Sequence, residues 1–387
     1  MIQQEIITGY GEIFTDKSVI VRSPGRINLI GEHTDYNNGF VLPAAIDKAA
    51  YVGIIKRSDN EIHLYAADIN ESHQTQLDEL FSPQHHWSAY LLGVVDQLRK
   101  NGYEISGFEA VLKSDVPVGA GMSSSAAIEC ACIAALNELF ELNIDKLSLV
   151  KLAQKAENEF VGVQCGIMDM FASVMGKKNM AIQLDCRSLQ YEYFPLELND
   201  YRIVLFDTGV KHSLAGGEYN LRRKQCEEGV AVLNEIYPSV KSLRDVNMHM
   251  IEMTLKEKVD EVIYKRCRYV VEENHRLLSG CILLQRNDIA GFGKKMFATH
   301  KGLSEDYEVS CPELDALVNW VKTDPEVAGA RMMGGGFGGC TINLIKNDVI
   351  DKVIDRLQAQ YQTAFGKELK VYVTTPQDGT TITKSEF

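Results

Sequence analysis

A chain of 387 residues exceeds the size at which one hydrophobic core grows comfortably, so two domains with a cleft between them are expected. Its 45% hydrophobic and 24% charged residues are ordinary globular composition, which excludes a disordered or low-complexity chain. A net charge of -13 and a pI near 5.3 exclude a broad surface for nucleic acid or for an anionic membrane, so any bound polyanion must be held by a local device.

The first residues, MIQQEIITGYGEIFTDK, lack a basic stretch followed by an apolar one, and no apolar run approaches the ~18 residues of a membrane span. A cytoplasmic protein is expected. The nine cysteines are irregularly spaced, which suits buried, reduced thiols. In chain order, SVIVRS (18–23), AAYVGIIKRS (49–58) and EIHLYAA (61–67) carry the β-branched and aromatic enrichment of strands. WSAYLLGVVDQLRKNG repeats apolar residues at helical spacing and stops at Asn101-Gly102. In GFEAVLKSD, Phe108, Ala110 and Leu112 share one face at period two, the pattern of a half-buried strand. The second half opens on the strand RIVLFDT (202–208) and continues through helical EYNLRRKQCEEGVAVLNEIY and KRCRYVVEENHRLLSG. Its tail reads strand (VAGARMM), glycine turn, strand (CTINLI), amphipathic helix and strand (KVYVTTP), which predicts a helix-on-sheet layer. Domains of residues 1–200 and 201–387 are expected, divided at Leu198-Asn199-Asp200, although no Pro/Gly/Ser linker marks the place.

Four segments could carry chemistry. In VPVGAGMSSSAAIECACIAALNELF, Gly119, Ala120, Gly121, Met122, Ser123, Ser124 and Ser125 run into an alanine-rich helix. Such a loop offers unpaired N–H groups and the positive end of the helix dipole to a phosphate. It is neither a Walker A loop, because no Gly-Lys-Ser/Thr follows, nor a good dinucleotide fingerprint, because Ser124 occupies the third glycine position. A tight turn with a serine N-cap is the alternative. The second segment, SPGRINLIGEHTDYNNGFVLPAAID, packs Arg26, Glu32, His33 and Asp35 among glycines, a donor and acceptor set suited to sugar hydroxyls. Metal binding by Glu32, His33 and Asp35 is disfavoured because their spacing matches no common metal pattern. A solvated turn is the plainer alternative.

In the third segment, AENEFVGVQCGIMDMFASVMG, Asp169 stands alone in an apolar stretch and must be paired or functional if buried, unless it caps a helix. The fourth, GARMMGGGFGGCTINLI, holds five closely spaced glycines that could admit a phosphate or simply turn a hairpin.

Together these segments resemble the signature motifs of the GHMP kinases, and GRINLIGEHTDYNNGFVLP resembles the galactokinase signature nearly end to end. The similarity extends through WSAYLLGV, HSLAGGEYNLRRKQCEEG, DYEVSCPELD and YVTTPQDG, in the expected order. It implies an α+β fold of two domains: an N-terminal mixed-sheet domain with a left-handed βαβ unit, against the usual right-handed rule, and a C-terminal helix-on-sheet domain. It further implies transfer of the γ-phosphoryl group of ATP to the C1 hydroxyl of galactose. By the resemblance Asp169 and Arg26 are catalytic, the aspartate as base or orienting carboxylate and the guanidinium as charge stabiliser. Glu32, His33, Asp35, Gly166 and Tyr219 contact the sugar, and Ser125 and Glu157 hold Mg²⁺. Trp87 corresponds to a tryptophan near the adenine in relatives, with a core role as the alternative. Partners are the sugar and ATP, without nucleic acid or membrane, and a monomer is expected.

Three positions depart from the family pattern: Met170 where glutamine is common, Gly216-Gly217 where a serine pair is frequent, and Met122 for leucine. The first two leave a sibling kinase for N-acetylgalactosamine, arabinose or a uronic acid as an alternative. A non-catalytic sugar sensor is a further one; such relatives lack a Ser-Ala pair that is present here as Ser125-Ala126.

Overall fold

A computed structural model describes residues 18–82, 86–210 and 215–384. The expected absence of a leader concerns residues 1–17, which lie outside the described residues, as do residues 212–214 of the HSLAGGEYNLRRKQCEEG motif.

The chain opens with β1 (Val19–Asn28), β2 (Phe40–Val41), β3 (Pro43–Lys56), β4 (Glu61–Ala66) and β5 (Glu71–Gln76). Helix α1 (Ser88–Lys100) leads into β6 (Phe108–Ser114). Three helices follow, α2 (Ser124–Leu139), α3 (Lys146–Lys155) and α4 (Met168–Met175), and then the hairpin of β7 (Met180–Asp185) and β8 (Tyr191–Pro195). Beyond β9 (Tyr201–Asp207) come α5 (Ala215–Ile236), α6 (Glu261–Gln285), α7 (Ile289–Lys301) and α8 (Pro312–Val321). The tail is β10 (Val327–Met332), β11 (Cys340–Lys346), α9 (Ile350–Phe365), β12 (Lys370–Thr374) and β13 (Thr381–Lys384).

The first sheet is mixed, with six strands in the order β13-β1-β3-β6-β4-β5. Its one parallel pair, β4 with β6, is joined through α1 and forms the expected βαβ unit. The edge strand β5 reads ESHQTQ, too polar to announce itself; it forms because it completes the backbone hydrogen bonds of β4, whose Ile62, Leu64 and Ala66 are buried. Helix α2 lies on this sheet, and its Ala126, Ala127, Ala131, Ala134 and Ala135 are all buried. Apolar nearly all round, it is a core helix, which explains why its sequence lacks a polar face.

The second sheet has the order β10-β11-β9-β12, antiparallel throughout. Along β9 the alternation of side chains feeds two cores. Ile203 and Leu205 join the core that contains Val21, Ile54 and Phe171 of the first half. Val204 and Phe206 face the other way, under Leu317 and Val321 of α8 and Leu357 and Tyr361 of α9. The helix-on-sheet layer expected from the tail is therefore present. A small third sheet, β2-β7-β8, completes the architecture.

We propose a division into two domains near residue 200, between the two larger sheets. The chain end does not respect it: β13 returns to pair with β1, from Val19 opposite Lys384 to Arg22 opposite Thr381. No helix among the described residues is long and apolar enough to cross a membrane.

Candidate active site

Arg26 lies near the end of β1, just past a register shift between Pro24 and Arg26 in the pairing with β3. Gly25 makes the local approach possible, because a Cβ there would stand 2.6 Å from the Met122 carbonyl oxygen. With that space free, the Arg26 N–H donates to the Met122 carbonyl at 3.1 Å and Nη1 donates to the Gly121 carbonyl. The same guanidinium grips Asp169 with two parallel bonds, Nε to Oδ1 at 2.8 Å and Nη2 to Oδ2 at 2.9 Å. Burial opposes the arginine's charge, but Asp169 first, and then Glu32 and Asp35, outweigh it and raise its pKa. Asp169 sits in the first turn of α4, whose N-cap position is Ile167, so it is not the helix cap that its sequence context allowed. Ser123 Oγ also donates to Asp169 Oδ2. Three of about four acceptor sites on the carboxylate are thus taken, and one is left for another donor.

The segment from Gly31 to Gly39 forms a wall beside this pair. Gly31 (φ 95°) and His33 (φ 62°) are left-handed, and Asp35–Asn37 closes into one 3₁₀ turn. Glu32 is nearly fully buried. Its Oε1 accepts from Arg331 Nη2 at 3.0 Å and from the Gly334 N–H at 2.9 Å. Burial works to raise its pKa, but Arg331, Arg26 and the Gly334 N–H prevail and lower it. Arg331 is wholly buried and clamps the chain after β1, donating to the Asn28, Leu29 and Met332 carbonyls as well. The motifs do not single it out. Its one signal is that of a lone arginine in the apolar strand VAGARMM, where an unpaired charge would be prohibitive.

His33 pairs through Nδ1 with the Tyr36 hydroxyl at 2.7 Å, and its ring lies 5.4 Å from that of Tyr219. Burial depresses its pKa to about 4, so the ring is neutral at pH 7. Asp35 moves the other way. Burial, reinforced by the charge of Asp169, lifts its pKa to about 6 against the pull of the Tyr36 N–H. Gly166 explains itself sterically, since a Cβ there would stand 1.8 Å from Asp35 Oδ2. Arg26, Glu32, His33, Asp35, Gly166, Asp169 and Tyr219 all line one cavity of about 430 Å³, so the residues expected at the sugar converge. Of the departures from the family pattern, Met170 is buried in the core and is not among the residues lining the cavity. At Gly217 a Cβ would meet nothing within 4 Å, so a side chain there has room.

Next to the cavity is the glycine loop. Gly119, Gly121 and Ser123 have φ of 80°, 75° and 58°, which turn the chain sharply into α2. Ser123 holds the N-cap position but makes no cap hydrogen bond, because its hydroxyl is committed to Asp169. The first-turn N–H groups of α2 are thereby left uncapped, as an anion site requires. The glycine run of the second half packs against this loop: a Cβ on Gly334 would lie 3.7 Å from Gly121 Cα, and one on Gly339 would lie 3.8 Å from the Gly119 oxygen. It both turns the β10–β11 hairpin and abuts the loop.

Glu157, in a wide helical turn after α3, is buried, and Cys165 Sγ donates to its Oε2 at 3.4 Å. Burial raises its pKa to about 7, while Ser125 acts to lower it. Trp87 stands at the start of α1, half-buried, with Nε1 donating to Glu71 Oε2 at 3.1 Å and its ring 5.5 Å from that of His86. It does not line the cavity.

Three family models match: GHMP kinases N terminal domain over residues 89–177, galactokinase galactose-binding signature over 8–56, and GHMP kinases C terminal over 282–363. A galactokinase of Clostridium beijerinckii is 40% identical over 369 residues, covering 94% of this chain and 95% of its own. The chain belongs to the galactokinase family of GHMP kinases. A second galactokinase of the family, from Roseiflexus sp., is 42% identical over 361 residues, covering 93% of this chain and 92% of its own. The crystal structure of Lactococcus lactis galactokinase complexed with galactose superposes with a TM-score of 0.93 at 34% identity, covering 98% of this chain and all of that one. A mevalonate kinase shares the fold at a TM-score of 0.66 and 18% identity.

Replacing Gly166 with alanine should push Asp35 out of place and raise the KM for the sugar about tenfold or more, with KM for ATP little changed. Steady-state kinetics with each substrate varied separately measures this; an unchanged sugar KM would mean that the Asp35 carboxylate has no part in binding.

Proposed function

We propose that this chain transfers the γ-phosphoryl group of ATP to the C1 hydroxyl of α-D-galactose, giving galactose 1-phosphate and ADP. The observation that carries the proposal is Asp169, held by Arg26 and Ser123 at the junction of the polar cavity and the glycine loop. The curated galactokinases at about 40% identity and the galactose-complexed neighbour support the choice of sugar.

In this proposal the free acceptor site on Asp169 receives the C1 hydroxyl proton, either removing it or only orienting the oxygen toward phosphorus. Arg26 stabilises the negative charge that accumulates as the phosphoryl group moves. Phosphoryl transfer passes through a loose transition state, so alignment and charge neutralisation do most of the catalysis. Asp35, Glu32, His33, Gly166 and Tyr219 bind the sugar's hydroxyls and ring. The residues from Gly119 to Ser125 cradle the phosphates through backbone N–H groups, and Trp87 lies toward the adenine.

Ser125 and Glu157 are a fitting pair for Mg²⁺: both offer hard oxygens, and Glu157 lines the cavity in a buried place. Phosphate oxygens and water would complete the coordination of such an ion. When bound there the ion would neutralise phosphate charge. The sibling kinases are not favoured by the relatives found, and Ser125-Ala126 argues against a sensor.

The test is a panel of galactose, N-acetylgalactosamine, arabinose and galacturonic acid with Mg²⁺-ATP, ranked by kcat/KM, with the product's phosphorylated carbon assigned by phosphorus NMR. Galactose should lead, phosphorylated at C1. A faster second sugar, or no ADP release above background with galactose, would refute the proposal. The acidity of Asp35 adds a second check. Its carboxyl group accepts from two sugar hydroxyls only while both oxygens are free of a proton, so kcat/KM for galactose should fall about tenfold per unit as pH drops below about 6. Flat profiles between pH 6 and 5 would rule out a binding role for the ionised form.

A further inference from the structure

The loop that carries Glu32, His33 and Asp35 leaves β1 after Asn28 and enters β2 at Phe40, and one helix of the second half holds both of its ends. Glu273 of α6 accepts from the Gly31 N–H at 2.8 Å through Oε1. Asn274, the next residue, accepts from the Phe40 N–H at 2.9 Å through Oδ1. One turn earlier, the Tyr269 hydroxyl donates to the Glu32 carbonyl at 3.1 Å. Residues four apart on a helix share a face, so Tyr269, Glu273 and Leu277 form one line along α6. The loop's glycines admit this face: a Cβ on Gly31 would stand 2.6 Å from Leu277 Cδ1, and one on Gly39 would stand 2.5 Å from Asn274 Oδ1.

The direction of these bonds follows from the atoms themselves. Backbone N–H groups only donate and a carboxylate only accepts. The Asn274 amide is oriented from both sides, because its Nδ2 donates to the Val270 carbonyl at 3.0 Å while Oδ1 faces the Phe40 N–H. Turning it over would set donor against donor and oxygen against oxygen. Glu273 is wholly buried, a costly place for a carboxylate unless it is paired. Arg276 Nε donates to its Oε2 at 2.8 Å, and the Thr299 hydroxyl from α7 lies 2.9 Å from one oxygen and 3.1 Å from the other. Apolar residues of like volume would serve stability as well as a buried ion pair. Val270, Leu277 and Cys281 do so on the same helix, which makes the polar pair at 273 and 274 the exception.

We propose that Glu273 and Asn274 are positioning residues for sugar recognition, fixing from the second half the entry and the exit of the loop that forms the cavity wall. Neither lines the cavity, so both act through the loop. The left-handed backbone at His33 (φ 62°) is one that a residue with a Cβ keeps only when its surroundings impose it. With both loop ends tied, His33 and Asp35 stay at the cavity without sugar to hold them. That the sugar is galactose rests on the reading above; the grip on the loop does not.

Hydrogen-exchange mass spectrometry of the whole enzyme without substrates, read beside steady-state kinetics, tests this. Glu273→Met and Asn274→Leu keep the volume and remove the acceptor. In each, the segment 31–40 should exchange about tenfold or more faster than in the wild type, with β9 unchanged, since a buried N–H has lost its partner. The KM for galactose should rise about tenfold with the KM for ATP little changed. Glu273→Gln, which still offers an oxygen to the Gly31 N–H, should remain near the wild type by both measures. Unaltered exchange and sugar KM in a folded Glu273→Met or Asn274→Leu enzyme would overturn the proposal. So would an equal rise in both KM values, a Glu273→Gln enzyme as impaired as Glu273→Met, or a wild-type loop whose Gly31 and Phe40 amides exchange without protection. If Glu273→Met fails to fold, Asn274→Leu and the wild-type exchange decide it. A loop released as expected in an enzyme that phosphorylates a different sugar would keep the clamp and remove the galactokinase reading.

Discussion

A guanidinium buried at the bottom of a cleft is tolerable only if its hydrogen bonds and its charge are met together, and much of this molecule's centre is arranged around that requirement. Arg26 is 5% exposed and spends its donors on Asp169 and on the carbonyl of Gly121, so β1, α4 and the glycine loop are tied at one point. Since Ser123 also turns to Asp169, α2 loses its side-chain cap, and the same contact that fixes the carboxylate leaves first-turn N–H groups for the phosphates proposed to bind there. Arg331 repeats the arrangement from the second half, with Glu32 as its partner and the Asn28–Leu29 carbonyls as its anchors. Two buried arginines, one from each sheet, thus hold the strip of chain between Arg26 and Asp35 in place.

In the proposed function this arrangement also reconciles an acidic protein with a polyanionic co-substrate. With a net charge of -13 the surface at large repels ATP, and the glycine loop offers no lysine. Backbone N–H groups and a helix dipole supply fixed partial charges without adding mobile cations. They need a backbone that turns through left-handed conformations, which Gly119 and Gly121 provide at little cost.

Much of this was legible from local signals. The strands at residues 18–23 and 202–208, α1 and the glycine loop follow from periodicity and glycine placement, whereas the convergence of Asp169 with Arg26 and Asp35 was legible only through the family resemblance. What escaped has long sequence separation in common. Arg331 meets Glu32 across about three hundred residues, and Tyr307 meets Tyr36 across a similar span; neither pair leaves a trace in its own neighbourhood. β5 and β13 escaped for a related reason, because a polar strand is made by the edge it pairs with rather than by its own side chains. The N-cap alternative for Asp169 fails because Ile167 holds that position, and the carboxylate pairs with Arg26, another partner distant in sequence.

At the centre of the proposed reaction stands one carboxylate, Asp169, with a single acceptor site left for the sugar. Single-turnover rates of Asp169→Asn, measured beside its equilibrium affinity for galactose, test that most directly. The asparagine keeps the shape but loses the charge that holds Arg26 and the basicity that draws the proton. A fall in the transfer rate of about 10²-fold or more with galactose still bound is the predicted result. A near-normal transfer rate would contradict it and shift the burden of catalysis to Arg26 and the ion proposed at Ser125 and Glu157.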